Sequence, residues 1–471
     1  MPTPQLRVAI VGAGPAGIYA ADILAKADLD VAIDLFERLP APYGLVRYGV
    51  APDHPRIKGI VNALYKVLQR GDIRLIGNVD IGTDVTVPQL REHYDAIVFS
   101  TGAIRDADLN IPGVDLPGSY GAADFVSWFD GHPDVPRTWP LEAEKVAVIG
   151  NGNVALDVAR MLAKHVPDLM GTEIPQNVID GLAANPVTDV HVFGRRGPAQ
   201  AKFTPLELRE LGKVPDVDVV VYPEDFEFDE GSEEALAASN QTRQVVKTLT
   251  DWTMRDPADM TASRRIHLHF LHRPVEVLGT DAVTGLRTER TELTGDGSVR
   301  GTGRFEEFEV QAIYRAVGYF GSSVPQVPFD PVAGVIPNET GRVLDDDGEH
   351  VRGLYATGWI KRGPVGLIGH TKSDAQETIA NLIQDVHADL RAGVLPGAPK
   401  ADPESILERL RADGVPYTSW SGWELLDAHE RALGEKQGRE RVKVVPREEM
   451  TEISRGGMFV EAGAAGAPPV V

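Results

Sequence analysis

The chain has 471 residues, enough for two or three domains, with the 42% hydrophobic and 25% charged content of an ordinary globular protein. Its formal charge of −22 disfavours nucleic acid and anionic lipid as partners. The absence of cysteine excludes disulfides, thiolate zinc sites, a resident iron–sulfur cluster and any redox-active dithiol. No run approaches the ~18 apolar residues of a membrane span. "MPTPQLRVAIVG" enters a strand-like run without the marks of a secretion signal, so a cytoplasmic protein is expected.

In chain order, the first expected elements are a strand in "RVAIVG" (7–12), a Gly-rich turn and a helix over 15–27. A second strand, "DVAIDLFE", ends at Glu37, a Pro/Gly-rich loop covers 39–56, and "IKGIVNALYKVLQR" (57–70) reads as a helix. Short strands are expected at 73–77 and 79–82, and "YDAIVFSTGA" (94–103) reads as a buried strand ending in a turn. The Pro- and Gly-punctuated run 106–118 marks a boundary. A new βα unit opens at 145 with "KVAVIGNGNVALDVARMLAKH", and the strand "VTDVHVFGRRG" (187–197) follows a polar helical stretch. Residues 214–310 are acidic and more β-like, "AIYRAVGY" (312–319) is another buried strand, and "GLYATGWIKRG" (353–363) is a strand then a turn. "DAQETIANLIQDVHADL" (374–390) is an expected helix, the last seventy residues read as helical, and "AGAAGAPPVV" as a loose tail.

The first Gly-rich turn comprises Gly12, Ala13, Gly14, Pro15, Ala16 and Gly17, a G-x-G-x-x-G between strand and helix. Its three glycines allow a tight turn, a close approach of backbone N–H groups to a pyrophosphate, and close helix–strand packing. The diphosphate then lies at the positive end of the helix. Glu37, at the end of the next strand, is placed to accept hydrogen bonds from ribose hydroxyls. That motif leaves FAD and NAD open; the strand-ending "STG" (100–102) and "ATG" (356–358), with Gly363, Gly366 and Gly369 beyond, favour a flavin. Trp359 offers a flat apolar face there or is a core tryptophan.

Gly150, Asn151, Gly152, Asn153, Val154 and Ala155 repeat the pattern as G-x-G-x-x-A. Here the following strand ends in Arg195 and Arg196 instead of an acid. A carboxylate would repel a 2′-phosphate, whereas two guanidiniums pair with it, so NADP(H) is expected. Two dinucleotide sites imply hydride transfer from NADPH to a flavin. Without cysteine, the electrons must leave for an external acceptor.

These blocks, with "PAPYGLVRYGVAPDHPRIK" (40–58), "IPGVDLPGS", "GRRGPAQAKFTPLELREL" and "GWIKRGPVGLIG", resemble the adrenodoxin-reductase-like family of ferredoxin–NADP+ reductases, especially its actinobacterial members. The similarity spans roughly 1–390, with a looser echo in "WELLDAHERALGEKQGRERVKV" (423–444). The resemblance implies an α/β fold of two Rossmann-like domains, glutathione-reductase-like. An FAD domain split between 1–105 and 321–471 would flank an inserted NADP domain at 106–320. It implies transfer of single electrons to a ferredoxin-type iron–sulfur protein, with a monomer favoured and no metal. Carried over, Glu37, Gly44, Leu45, Val79, Ala103, Trp359, Gly366, Leu367 and Ile368 would touch FAD. Asn153, Val154, Arg195, Arg196 and Glu207 would touch NADP, and Gly366 would lie near the nicotinamide end.

By the same resemblance His54 and Glu207 would sit near the flavin–nicotinamide contact, where an imidazole can relay a proton and a carboxylate can orient the carboxamide. One departure stands out: where the family usually has Asp-Arg after "TGA", this chain reads Arg105-Asp106-Ala107, so Arg105 would have to substitute from a shifted position. Ferredoxins are usually acidic, so docking would need a local basic face. Arg243, Lys247, Arg255, Arg264 and Arg265 are candidates, with Lys361 and Arg362 near the flavin. The flavin subunit of glutamate synthase is the alternative enzyme, and its cysteine cluster is missing here.

Overall fold

The computed structural model describes residues 5–365, 368–392 and 402–456. The chain forms two compact units. One comprises residues 1–50, 54–104 and 320–471, and the other 51–53 and 105–319.

The first unit is built on a seven-stranded sheet. Its centre is Leu6–Val11, flanked in parallel by Val31–Phe36 and Ala96–Phe99. Ile73–Ile76 adds to one side and His350–Ala356 to the other, also in parallel. Two short antiparallel strands, Arg342–Leu344 and Asn338–Glu339, close that edge. All six residues of the central strand are buried, because both faces of the sheet are covered. Val8 and Ile10 join one core cluster while Ala9 and Val11 join another, as alternation along a strand requires. The first cluster takes Ile18, Ala21 and Leu24 from the helix Pro15–Ala25 and Ala375, Ile379, Leu382 and Val386 from Ile368–Arg391. The spacing of those four places them on one face of the long helix.

The second unit carries a six-stranded, all-parallel sheet. Lys145–Ile149 lies inside it, between Ala312–Arg315 and Asp189–Phe193. One face packs on helices, including Asn153–Ala163, through Val146 and Val148. The opposite face, through Ala147, Ile149 and Phe193, packs on Val277 and Leu286 of a three-stranded antiparallel sheet.

Three local expectations change. The helix expected over 57–70 is two pieces, Pro55–Lys58 and Val61–Leu68, joined by Gly59 and Ile60. Both joint residues stay right-handed, but the joint closes with shorter-range bonds such as Asn62 N–H to the Gly59 carbonyl at 3.2 Å. The strand expected at 79–82 is a turn, since Gly82 has φ +107° and Asp84 accepts from the Asp80 N–H. The acidic stretch 214–310 also holds two helices, Glu230–Ala238 and Asn240–Thr253, capped by Asp229 and Ser239. No helix among the described residues is long and apolar enough to cross a membrane.

Candidate functional site

In each unit a glycine-rich turn sits where the strand order reverses, at the C-terminal ends of adjacent parallel strands, the usual crevice for a dinucleotide in such sheets. In the first unit, Gly12 has φ +109° and a Cβ there would lie 2.5 Å from the Ser100 carbonyl oxygen. A Cβ on Gly17 would lie 1.9 Å from the Gly12 oxygen. Ser100 fixes the turn by donating its hydroxyl to the Val11 and Gly12 carbonyls. Gly14 and Gly44 face each other through their backbones: a Cβ on Gly44 would come within 3.1 Å of the Gly14 Cα. Gly14 caps the helix Pro15–Ala25 without a side-chain bond, so the first N–H groups of that helix are left for a ligand. Pro15, at the first helical position, costs no donor there. Glu37 is buried, and its carboxylate accepts from the Ala13 N–H at 2.9 Å and the Leu39 N–H at 3.1 Å. Burial pushes this carboxyl above the usual range, against the pull of those N–H groups.

Around this turn, Val79 and Ala103 are buried, and the Val79 N–H donates to the Glu37 carbonyl. Leu45, half-buried, begins the short helix Leu45–Tyr48. Gly358, with φ +76°, has room for hydrogen only, because a Cβ would meet that of Ala16 at 2.7 Å. Trp359 follows it and is half-buried. Gly366 and Leu367 lie outside the described residues, as does the side chain of Ile368.

In the second unit, Gly150 has φ +151° and its missing Cβ would lie 2.2 Å from the Ala316 carbonyl oxygen. Gly152 has open space within 4 Å and caps the helix Asn153–Ala163 without a side-chain bond. Val154 is half-buried and Ala155 buried. Asn151 and Asn153 bind the neighbouring loop: the Asn151 carbonyl accepts from the Lys202 N–H, and the Asn153 Oδ1 from the Thr204 N–H, both at 2.8 Å. Arg195 is exposed and Arg196 half-buried, and neither guanidinium has a hydrogen bond or ion pair among the described residues. Burial and the Arg195 charge lower the Arg196 pKa. Two adjacent cations that repel each other, with no carboxylate in attendance, suit a dianionic phosphate.

His54 and Glu207 belong to different units. His54 is buried and precedes Pro55–Lys58, its carbonyl accepting the Lys58 N–H. Glu207 is buried in the first turn of Pro205–Leu211, which Thr204 caps, and lies 3.7 Å from Arg160. Arg160 also pairs with Asp53 and Asp157. At the departure from the family pattern, the Asp106 carboxylate accepts the Ala123 N–H at 3.0 Å, and burial pushes it up to about 6. Arg105 is exposed, and the Ala107 N–H donates to the Gly318 carbonyl.

Several of the candidate docking cations have partners within the chain: Arg362 lies 3.6 Å from Asp374, and Arg243, though exposed, donates to the carbonyls of Leu236 and Ala237. Lys361 is buried and paired with Asp374 and Glu377. Arg264 donates to the carbonyls of Ala163, Lys164 and Asn185, closing the end of a helix and the loop beside it. Arg243, Lys247, Arg255 and Arg265 remain exposed, Lys247 beside Asp251.

Sequence reasoning missed the residues that hold the segment after Gly44. The Glu430 carboxylate, fully buried, accepts from Arg47, Arg441 and the Val444 N–H, while Lys443 donates to the Arg47 carbonyl. The C-terminal echo at 423–444 is therefore the clamp on the segment that follows Gly44.

The chain is 41% identical over 459 residues to the NADPH-ferredoxin reductase FprA of Mycobacterium tuberculosis, covering 95% of this chain and 99% of that protein. The chain belongs to the adrenodoxin-reductase-like family of NADPH–ferredoxin reductases. The human member, the mitochondrial NADPH:adrenodoxin oxidoreductase, is 39% identical over 472 residues, covering 96% of this chain and 92% of that one. A family model described as pyridine nucleotide-disulphide oxidoreductase matches residues 6–182. The solved structure of Mycobacterium tuberculosis FprA in complex with NADPH superimposes with a TM-score of 0.88 at 40% identity, covering 96% of this chain and all of the other. As in the FprA structure, the fold is of α/β dinucleotide-binding type, with a mainly parallel sheet in one unit and an all-parallel sheet in the other.

Proposed function

We propose that the chain oxidises NADPH and passes the electrons singly to a ferredoxin-type iron–sulfur protein, one NADPH reducing two acceptors and releasing NADP+ and a proton. The lone pair of guanidiniums on Arg195 and Arg196, at the strand end beside the second glycine-rich turn, carries this reading. When bound, FAD takes up the two electrons of a hydride together and gives them up one at a time, the chemistry that links a two-electron donor to a one-electron acceptor. The chain has no cysteine, so the acceptor is another molecule.

Gly12, Ala13, Gly14, Pro15, Ala16 and Gly17 form the turn that receives the FAD diphosphate, Gly14, Ala16 and Gly17 donating their backbone N–H groups, and Glu37 accepts from ribose hydroxyls. Gly44, Leu45, Val79, Ala103 and Trp359 bound the same cofactor, with Gly366–Ile368 beyond. Gly150–Ala155 receive the pyrophosphate of NADPH, and Arg195 and Arg196 its 2′-phosphate. His54 holds or relays a proton, and Glu207 orients the carboxamide. Hydride transfer needs no general base, so replacing either slows turnover without abolishing it. Arg243, Lys247, Arg255 and Arg265 offer charge to an acidic partner, and the reaction takes place in the cytoplasm.

Stopped-flow flavin reduction with NADPH and NADH, followed by steady-state turnover with ferricyanide and a panel of ferredoxins, tests the reading. NADPH should reduce the flavin faster by at least about two orders of magnitude, given two lost charge-assisted contacts in NADH. Equal rates would remove NADPH as the preferred donor. Turnover with ferredoxin should fall as salt rises; a flat response would remove the basic docking face.

A further inference from the structure

The loop that presents Arg195 and Arg196 is held by Leu271, His272 and Thr291, the last of them 96 positions from its partner. Three successive carbonyls are bonded: Gly194 accepts from the His272 N–H at 3.0 Å, Arg195 from the Thr291 hydroxyl at 2.8 Å, and Arg196 from the Leu271 N–H at 3.2 Å. The Thr291 N–H donates in turn to the Leu271 carbonyl at 2.8 Å. Leu271 has φ +58°, a left-handed conformation uncommon for leucine, which directs its N–H at the loop.

Thr291 lies next to a register shift in the strand Gly285–Leu293. The shift falls at Arg290, and both Arg290 and Thr291 are buried. Arg290 bonds two members, Asp225 and His272, of a cluster in which ligand atoms of Asp225, His269 and His272 lie within 4.8 Å of one another. One of its amino groups donates to Asp225 and to the His272 Nε2, and the other to the Glu224 carbonyl at 2.6 Å. The positive charge that such a cluster could take from a metal ion is supplied by this guanidinium. Asp225 is anchored further by the Phe270 N–H at 2.9 Å, and the His272 Nδ1 meets the Thr288 hydroxyl at 3.0 Å.

We propose that Thr291, seated by the Arg290–Asp225–His272 cluster, is a positioning residue that sets the Arg195–Arg196 loop for a 2′-phosphorylated nucleotide. The proposal rests on those arginines being the phosphate site. Two adjacent cations repel, and a loop free to move would turn them apart and have to be reordered on binding. Tethering all three carbonyls prepays that ordering. Thr291 thereby acts on affinity for the 2′-phosphate without touching the nucleotide.

The test is calorimetric titration of the FAD-loaded protein with adenosine 2′,5′-bisphosphate and with AMP, which lacks the 2′-phosphate. Thr291→Val keeps the shape and deletes the donor. It should bind the bisphosphate about threefold to tenfold more weakly, the worth of one buried hydrogen bond, and leave AMP binding unchanged. Thr291→Ser should restore the bisphosphate affinity to within about twofold. The NADPH-to-NADH ratio of kcat/KM should fall by the same factor in Thr291→Val and recover in Thr291→Ser. Unchanged bisphosphate binding in Thr291→Val, or equal weakening of both nucleotides, overturns the brace. Arg195→Ala separates the two layers: if it binds the bisphosphate as tightly as the parent, the phosphate-site reading itself fails. Thr291→Ala provides the same comparison if the valine variant does not fold.

Discussion

At the first glycine-rich turn a Cβ on Gly12 would lie 2.5 Å from the Ser100 carbonyl oxygen, and at the second a Cβ on Gly150 would lie 2.2 Å from that of Ala316. Both units thus use the absence of a side chain to let one strand end press against the backbone of its parallel neighbour. They part at the third position of the motif. Gly17 packs against the Gly12 carbonyl, whereas the second turn carries Ala155, buried in the core beside Leu156 and Ala159. They part again at the end of the next strand, where a buried glutamate bonded to the first turn contrasts with two arginines that have no anionic partner among the described residues. The first turn is also followed by a segment clamped by the C-terminal residues Glu430 and Lys443. One backbone device therefore serves a turn beside a buried carboxylate and another beside two cations.

The largest effect should come from breaking the steric contrast. Gly17→Ala puts a methyl 1.9 Å from backbone and should give protein without stoichiometric FAD, read from the 450 nm absorbance of the purified chain. Gly152→Ala meets nothing within 4 Å and should fold with its FAD. Full flavin in both variants would show that the tight approach at Gly17 does not matter.

A smaller effect sharpens the electrostatic contrast. Replacing Arg195 and Arg196 together by alanine should raise the KM for NADPH about a hundredfold and leave that for NADH near its starting value. A similar rise for both coenzymes would place the arginines outside the 2′-phosphate site.

The smallest effect concerns acid. In the second unit burial depresses His191 to about 3, His269 to about 2 and His272 to about 4, with neighbouring imidazoles or Arg290 adding to it. Such groups stabilise the fold above their ordinary value of 6.5, and this contribution is lost as pH falls through that value toward 4. Asp106 and Asp225, raised by burial to about 6, work the other way, since protonation below that point relieves a buried charge. Their upward shifts are smaller than the imidazole shifts and offset only part of the loss. In the first unit Asp22, Asp385 and Asp427 resist the upward push of burial and are held below the usual value by Lys26, Arg342 and Arg441 respectively. Their contribution is lost only as pH falls below about 3.8. Calorimetry between pH 7 and pH 5 should show the transition that NADP+ protects falling by roughly 5–10 °C while the other holds. Two transitions falling together would erase this difference between the units.

Much of the candidate site was legible because it is local. Gly12, Gly14, Gly17 and Gly150 answer to backbone sterics within a turn, and Glu37, Arg195 and Arg196 fall at strand ends that periodicity locates. The broken helix near residue 59 and the two helices in 214–310 were not, since joints and caps compete with composition at short range. The basic docking face shrank because charge in a sequence carries no burial: Lys361 and Arg264 are cations whose partners come from other elements.

The amino-acid order by itself determined two dinucleotide turns and the sign of the charge beside each, because those depend on residues a few positions apart and on glycine's missing Cβ. Only the tertiary structure decided which residues hold those groups in place. Thr291 reaches Arg195 through a bulge, Arg290 bonds Asp225 and His272, and Glu430 clamps Arg47 across 383 positions of chain. Contacts of that range are set by how sheets and helices pack, and no spacing in the sequence encodes them.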